Sequence, residues 1–463
     1  MKNAELNLNE LKSRISGDVL TADSENYDTA RSLWNLSVIQ RPAVIVAAET
    51  ASDILEAVRF AKGNDLKIAV TNTGHGAALP ANDSMLIVVS SMNEVEIDAD
   101  KKTARVAAGA KWEDVLQKSH ALGLAPLMGS TSDTGAVGYT LGGGMGWLVR
   151  KYGLSVDNVL SYDLVTAEGT MVHASKEENN NLFWALSGGG SAFGVVTAME
   201  VKLVPVDRVY AGSLMYPREV AREVFTHYRE WVRDMEEDWT TSISLINFPP
   251  VTDLPEFLQG QSFVIVRGCY VGPTEKGAEA IESWLDWKEP LVNEFKSIPF
   301  LNADIISNDP KEPSAATGTN IILKDLSDEV IDTLINRAFP KSEPIPLILA
   351  EVHHAGGAVS QADKNTTAFS QHEAPFILKM IGVTDTPDMT PTFTEIATSI
   401  ANGVSGHSTD DVFSNFLTGQ EKWERTEEAF ISESYQKLIE VKNKYDPDNR
   451  FSFSSNITPA ADQ

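Results

Sequence analysis

The sequence predicts a mixed α+β protein in two parts, on three observations: strand and helix patterns alternate through the first half, the texture turns β-rich after Pro205, and the chain has 463 residues. That length exceeds the size at which a single core usually stops growing, so one large composite domain or two domains is expected, with room for a buried site. Ala43–Ala47 is an apolar run of strand type. Thr50-Ala-Ser-Asp53 then supplies helix caps ahead of Ile54, Leu55, Val58 and Ala61 at helical spacing, and Lys67–Val70 is the next strand. Strand, helix, strand is the α/β order. Met85–Val89, Ala104–Ala107 and Ser161–Thr166 read as further strands, with a helix at Trp112–Leu122 that Gly123 ends. Beyond Pro205, a long helical pattern at Glu219–Glu236 precedes β-rich runs at Phe263–Val271, Ile345–His354 and Phe376–Val383, with a helix at Asp328–Ala338 among them. Thr426–Lys442 reads as a last helix. The tail that opens with Tyr445-Asp-Pro-Asp-Asn-Arg-Phe451 is too polar to pack alone and is expected to return to the first part.

Composition narrows the partners. With 42% apolar and 22% charged residues the chain lies in the globular range. Its 65 acids against 38 bases give a formal charge of −27 with no basic cluster, so nucleic acid and anionic membrane surfaces are not expected partners. Cys269 is the only cysteine, which excludes an intramolecular disulfide and a cysteine-based metal cluster. It sits among apolar strand residues and is expected to be buried. The isolated His120, His173, His227 and His407 have no metal-ligand spacing, and no metal is expected. No stretch approaches the roughly 18 consecutive apolar residues of a membrane span, and Met1–Ile15 lacks an apolar signal core. The expected location is cytoplasmic.

Two glycine-rich segments could carry chemistry. The strand Ile68-Ala-Val70 runs into Thr71-Asn-Thr-Gly-His-Gly76, where glycines permit tight backbone geometry and small side chains leave amides free to face an anion such as a diphosphate. Alone, such a segment reads equally as an ordinary turn. The stretch from Gly129 to Gly146 is too long and too rich in glycine for a simple hairpin, and backbone packed against a flat or anionic ligand would account for it. It contains neither the dinucleotide fingerprint nor a P-loop.

The ordered set Gln40-Arg-Pro42, Gly74-His75, Gly142-Gly-Gly-Met-Gly146, Arg150-Lys-Tyr-Gly-Leu154 with Asp157-Asn158, Leu182-Phe-Trp-Ala-Leu186, Gly188-Gly-Gly190 with Phe193-Gly-Val-Val196, and Tyr445-Asp-Pro447 resembles the berberine bridge enzyme-like flavoproteins of the vanillyl-alcohol oxidase, or PCMH, superfamily. The resemblance runs through nearly the whole chain. It implies a PCMH-type FAD-binding domain of two α/β subdomains at 36–205, a substrate-binding domain at 206–415 with an antiparallel sheet backed by helices, and a C-terminal segment, 416–463, that returns to the FAD domain. It also implies FAD bonded covalently through His75. The oxidised flavin acidifies its 8-methyl group, and a neutral imidazole is an adequate nucleophile toward that carbon. Further cofactor contacts are implied for Thr71, Asn72, Thr73, Gly74 and Gly76, for Thr131, Thr134, Gly135, Gly138, Thr140, Gly143 and Gly146, and for Gly194, Val196 and Asn456.

Departures from the family pattern sharpen the expectation. The second, cysteinyl attachment of many members falls at about Thr131, so attachment through one histidine is expected, in the style of 6-hydroxynicotine oxidase-like members. The tyrosines of sugar and anthracycline oxidases are replaced by Met145 and Phe413, and the usual histidine before the glycine triplet is Tyr139, which is a catalytic candidate. In Leu349-Ala-Glu-Val-His-His-Ala-Gly-Gly357, a period of two puts Glu351 and His353 on one face and Val352 and His354 on the other. The matching segment of the family belongs to the sheet covering the flavin, so Glu351, His353 or His354 is a candidate base, and His372 a further one. Gly129, near the position that governs dioxygen access in the family, is expected to leave space there.

The implied activity is hydride transfer from a C–H bond of an alcohol, hemiacetal or amine to flavin N5. The partners are a small-molecule substrate and dioxygen or another electron acceptor, and the resemblance leaves room for a homodimer. The rival from another class is a flavin-carrying drug-binding or resistance protein with little turnover, and a third reading is a member whose catalysis has decayed.

Overall fold

The computed structural model describes residues 6–339, 344–386 and 388–460, and the described strands form three sheets. The first holds β1 (Asp18–Leu20), β2 (Val44–Ala47), β3 (Ile68–Thr71) and β4 (Met85–Val88) in the order β1-β2-β4-β3, with β2, β4 and β3 parallel. Parallel neighbours need a crossover, and the helix Ala51–Gly63 follows β2. Thr50 and Asp53 cap it reciprocally, while Ile54, Ala57, Val58 and Ala61 bury its inner face against the sheet.

The second sheet is antiparallel, β5-β6-β9-β7-β8: β5 is Val95–Asp98, β6 Thr103–Ala107, β7 Val159–Val165, β8 Met171–Ser175 and β9 Val195–Lys202. Helices Trp112–His120 and Asn180–Gly189 pack into its core.

The third sheet contains β10 (Arg208–Pro217), β11 (Trp239–Asn247), β12 (Ser262–Tyr270), β13 (Val292–Asn293), β14 (Lys296–Pro299), β15 (Ala316–Leu323), β16 (Leu347–His354) and β17 (Phe376–Val383). Its order is β13-β10-β12-β11-β16-β17-β15, with β14 also on β10, and every pairing is antiparallel. Leu245, Val264, Val352 and Leu378 belong to one apolar core with residues of the helices Ala221–Val232, Asp328–Ala338 and Met389–Val404. The opposite face is polar and in register: Asn320 pairs with Lys379, Lys379 with Glu351, Glu351 with Ser244, His353 with Ser242, and Ser242 with Arg267. Burying such a stripe is costly unless its members satisfy one another.

Arg150 fastens the short helix Val149–Tyr152 to the third sheet. Its guanidinium donates to the carbonyls of Trp239 (2.8 Å), Met235 (3.1 Å) and Ala355, and to His354 Nε2 at 3.0 Å. The tail reaches the first sheet, where the Arg450 carbonyl accepts from Ile68 N and the Phe453 carbonyl from Leu79 N. The last helix differs from its expected span and runs Ser432–Tyr445. Residues 426–431 turn away because their carbonyls serve tertiary partners: Glu428 accepts from Val412 N and Ala429 from the Gln371 side chain. Likewise, the pattern at Glu219–Glu236 forms a regular α-helix only over Ala221–Val232.

Candidate flavin cleft

A cleft of about 380 Å³ opens where β3 runs into its following turn, lined by residues 68–79, by much of the glycine-rich stretch, by Gly188–Ser191 and Gly194–Val196, and by Ser414–Phe416 and the tail. Gly74 takes φ +81°, and a Cβ there would lie 2.7 Å from the Leu33 side chain. Only glycine meets both demands, and it presents the next residue, His75, to the cleft.

The His75 imidazole is held on several sides. Trp34 stacks on it at 4.5 Å between ring centroids and 16° between planes. Nδ1 lies 2.9 Å from Thr73 Oγ1, and Nε2 lies 3.8 Å from Asp133 Oδ2. The Thr131 hydroxyl fixes Asp133 through a 2.6 Å hydrogen bond. Burial lowers the imidazole pKa, outweighing the opposing pull of Asp133, and Lys111 adds to the lowering. The ring is therefore neutral at pH 7, with a lone pair available for bond formation. Cys269 is fully buried in β12, where burial pushes its thiol up, far from any role in the cleft.

Of the residues expected to touch a cofactor, Thr71, Asn72, Thr73, Gly74, His75, Gly76, Thr131, Thr134, Gly135, Gly138, Gly194 and Val196 line the cleft. Four lie outside its lining. The Thr140 hydroxyl donates to the Ala136 carbonyl and meets Ser155, Gly143 packs on Phe369, and Gly146 is pressed against the Met128 carbonyl. Asn456 binds Thr426 Oγ1 through its backbone N–H and accepts from the Tyr435 hydroxyl. The space expected beside Gly129 is filled: a Cβ there would lie 2.9 Å from the Tyr139 ring. Tyr139 lines the cleft, but its hydroxyl is buried without a partner among the described residues, and burial raises its pKa well above the ordinary value, which suits a proton acceptor poorly.

Glu351 lies on the polar face of the third sheet. Its Oε1 accepts from the Ser242 hydroxyl (2.8 Å) and Arg267 Nη1 (3.1 Å), while Oε2 lies 3.1 Å from His353 Nε2 and 3.5 Å from Lys379 Nζ. Burial pushes the Glu351 carboxyl up, but the neighbouring His353, Lys379 and Arg267 side chains hold it well below the usual range, so it stays a carboxylate. The approach of His353 Nε2 is off the hydrogen-bond line, leaving that nitrogen without an aligned partner. His353 stacks on Phe416 at 5.2 Å and 24°; Phe416 lines the cleft, whereas Glu351 and His353 lie outside its lining. His354 is committed elsewhere: burial and Arg150 lower its pKa to about 3, leaving a neutral ring beside the guanidinium. His372 is fully buried and approaches Asp157 at 3.3 Å.

Asn415, Phe416, Lys422 and Trp34 have no place in the sequence-based site. For Asn415 the signal was the Phe413-Ser-Asn415 motif itself: its side chain accepts from Gly144 N and donates to the Tyr139 carbonyl, fixing the glycine triplet. Trp34 and Lys422 lie outside every motif and meet the turn at residues 71–76 only through the tertiary fold.

The cleft fits a flavin dinucleotide: it is glycine-lined and, among the described residues, its lining holds no carboxylate, with a neutral imidazole at its wall. Together with the mixed sheet and the large antiparallel sheet, it defines an FAD-linked oxidoreductase. An FAD binding domain matches residues 42–175, and a berberine and berberine-like domain matches residues 412–458. An FAD-linked oxidoreductase of Dictyostelium discoideum is 28% identical over 98% of this chain and 97% of its own length. (R)-6-hydroxynicotine oxidase of Paenarthrobacter nicotinovorans is 26% identical over 96% and 97%. The fold matches 6-hydroxy-D-nicotine oxidase from Arthrobacter nicotinovorans (TM-score 0.83, 23% identity, 94% of this chain and 96% of that one). It also matches a xylooligosaccharide oxidase from Myceliophthora thermophila (TM-score 0.85, 20% identity, 98% and 100%). The chain thus carries an FAD binding domain and a berberine-like domain and is similar over nearly its whole length to FAD-linked oxidoreductases, consistent with the berberine bridge enzyme-like flavoproteins of the PCMH superfamily. Among the described residues no helix is long and apolar enough to cross a membrane.

Proposed function

We propose that the protein oxidises a C–H bond of a small alcohol, hemiacetal or amine, with FAD held covalently on His75 alone and dioxygen as the acceptor. The observation that carries the tether is the neutral, stacked imidazole in the cleft wall. Thr131 supplies no thiol for a second bond. Bound FAD supplies the hydride-accepting centre; the chain orients the reactants and takes the proton. We assign proton acceptance to His353, which carries its ring beside the Glu351 carboxylate on the polar face of the third sheet and against Phe416 of the cleft lining. The turn at residues 71–76 and the glycine-rich stretch hold the cofactor; the division into 36–205 plus 416–463 against 206–415 is supported by the third sheet's lying within 206–415, while β1, ahead of residue 36, pairs with β2 and adds to the first part. The presence of oxidases among the relatives supports dioxygen as acceptor.

The test is to screen alcohols, sugars and cyclic amines for anaerobic bleaching of the flavin, then admit air. Bleaching followed by reoxidation within milliseconds to seconds is the expected result. Reduced flavin that persists for many minutes would contradict an oxidase, and failure of every substrate class to bleach it would favour a drug-binding protein with little turnover.

A further inference from the structure

We infer that Lys422 is the counter-charge for the diphosphate of the bound cofactor, and so an anion site within the flavin cleft; the inference rests on the FAD reading above. Among the described residues, Lys422 is the only ionisable side chain in the cleft lining apart from His75 and Tyr139, and the lining contains no Asp, Glu or Arg. Its ammonium makes one polar contact, donating to the Gly76 carbonyl at 3.1 Å, and no carboxylate pairs with it among the described residues. Most other lysines and arginines near the cleft are spent: Lys111 on Glu113, Lys311 on Asp304, Arg425 on Glu421 and Glu428. An ammonium held beside a glycine-rich turn with one carbonyl partner is under-satisfied until an anion joins it.

The setting fits a permanent anion. FAD brings its diphosphate charge into a protein of formal charge −27, and the cleft is the place where the chain keeps its own carboxylates away. Burial already lowers the Lys422 pKa to about 8, a cost that a neighbouring phosphate would reverse. Lys422 also sits on the helix Gly419–Glu424, which is tied to three parts of the fold. Gly419 N donates to the Ala77 carbonyl beside the tether, Glu421 accepts from Thr319 of β15, and Trp423 donates to the Ser452 carbonyl of the tail. A diphosphate bound by Lys422 would therefore draw together the tether turn, the third sheet and the tail.

The test uses the full chain with His75→Ala, so that flavin binds reversibly, and compares Lys422 with Lys422→Met and Lys422→Arg for FAD and for riboflavin, which lacks phosphate. Lys422→Met is expected to weaken FAD about 10- to 100-fold, the range of a hydrogen bond to a charged group, with riboflavin unchanged and Lys422→Arg restoring most of the loss. FAD affinity should also fall with added salt, and as pH rises through about 8 and the ammonium is lost, in the Lys422 protein but not in Lys422→Met. Equal losses for FAD and riboflavin would overturn the inference by placing the cation against the ring, and unchanged FAD affinity would overturn it outright. Failure of the His75→Ala protein to bind FAD whatever stands at 422 would sink the flavin reading itself, and this inference with it.

Discussion

Asp446→Ala is expected to destabilise the protein by about 3–5 kcal/mol, the cost of removing one partner from a buried ion pair. Lys442 and Asp446 are both fully buried, with Nζ 2.6 Å from Oδ2. Lys442 also donates to the carbonyls of Ala192 (2.8 Å) and Phe451 (3.0 Å), and Asp446 accepts from the backbone N–H groups of Arg450 (2.8 Å) and Phe451 (2.9 Å). Alanine would leave a buried ammonium without its anion and two buried N–H groups without acceptors. These bonds hold the turn that sends Phe451 and Phe453–Ser455 into the cleft wall, so flavin retention should fall along with the urea midpoint. Lys442→Met combined with Asp446→Leu should recover part of the loss, because no charge is then stranded. A single-variant loss under 1 kcal/mol would contradict this account of the tail.

His353→Ala is expected to slow anaerobic flavin reduction by roughly 10²- to 10⁴-fold, the usual contribution of a positioned general base. The ring is more than four-fifths buried and stacked on Phe416, so its loss should also lower the unfolding midpoint through lost packing, though less than Glu351→Gln does. Glu351 is different. Its carboxylate counters Arg267 and Lys379 within the sheet, and its depressed pKa stabilises the fold above the ordinary carboxylate range, an effect lost as pH falls through the lowered value. Glu351→Gln should therefore lower the midpoint more and the reduction rate less. Added imidazole should rescue His353→Ala in part. Reduction of His353→Ala at the parental rate would remove His353 from the chemistry.

Elements made of apolar runs between turn residues were legible within a residue or two: β2, β3 and β4 match their expected strands closely, and Asp328–Ala338 and Phe376–Val383 match as stated. The face of Glu351 and His353 was legible too, because a period of two needs no tertiary knowledge. β11 was not. Its Trp-Thr-Thr-Ser-Ile-Ser-Leu-Ile-Asn pattern carries Ser242 and Ser244 on a buried face, since polar side chains there serve Arg267 and Glu351 rather than solvent. The glycine-rich stretch pointed to the cleft but not to which of its residues line it. Gly129 shows why: its missing side chain makes room for Tyr139, a partner ten positions on. Trp34 and Lys422 could not be found from spacing, since each meets the tether turn from a distant part of the chain.

The central claim is one covalent bond between His75 and FAD, and acid precipitation of the parental protein tests it most directly. The pellet should stay yellow, its intact mass should exceed that of the chain by one FAD less the two hydrogens lost when the C–N bond forms and the flavin is reoxidised, and the flavin should map to the peptide containing His75, while His75→Ala should release all colour into the supernatant. A colourless parental pellet with the flavin free in solution would contradict the claim.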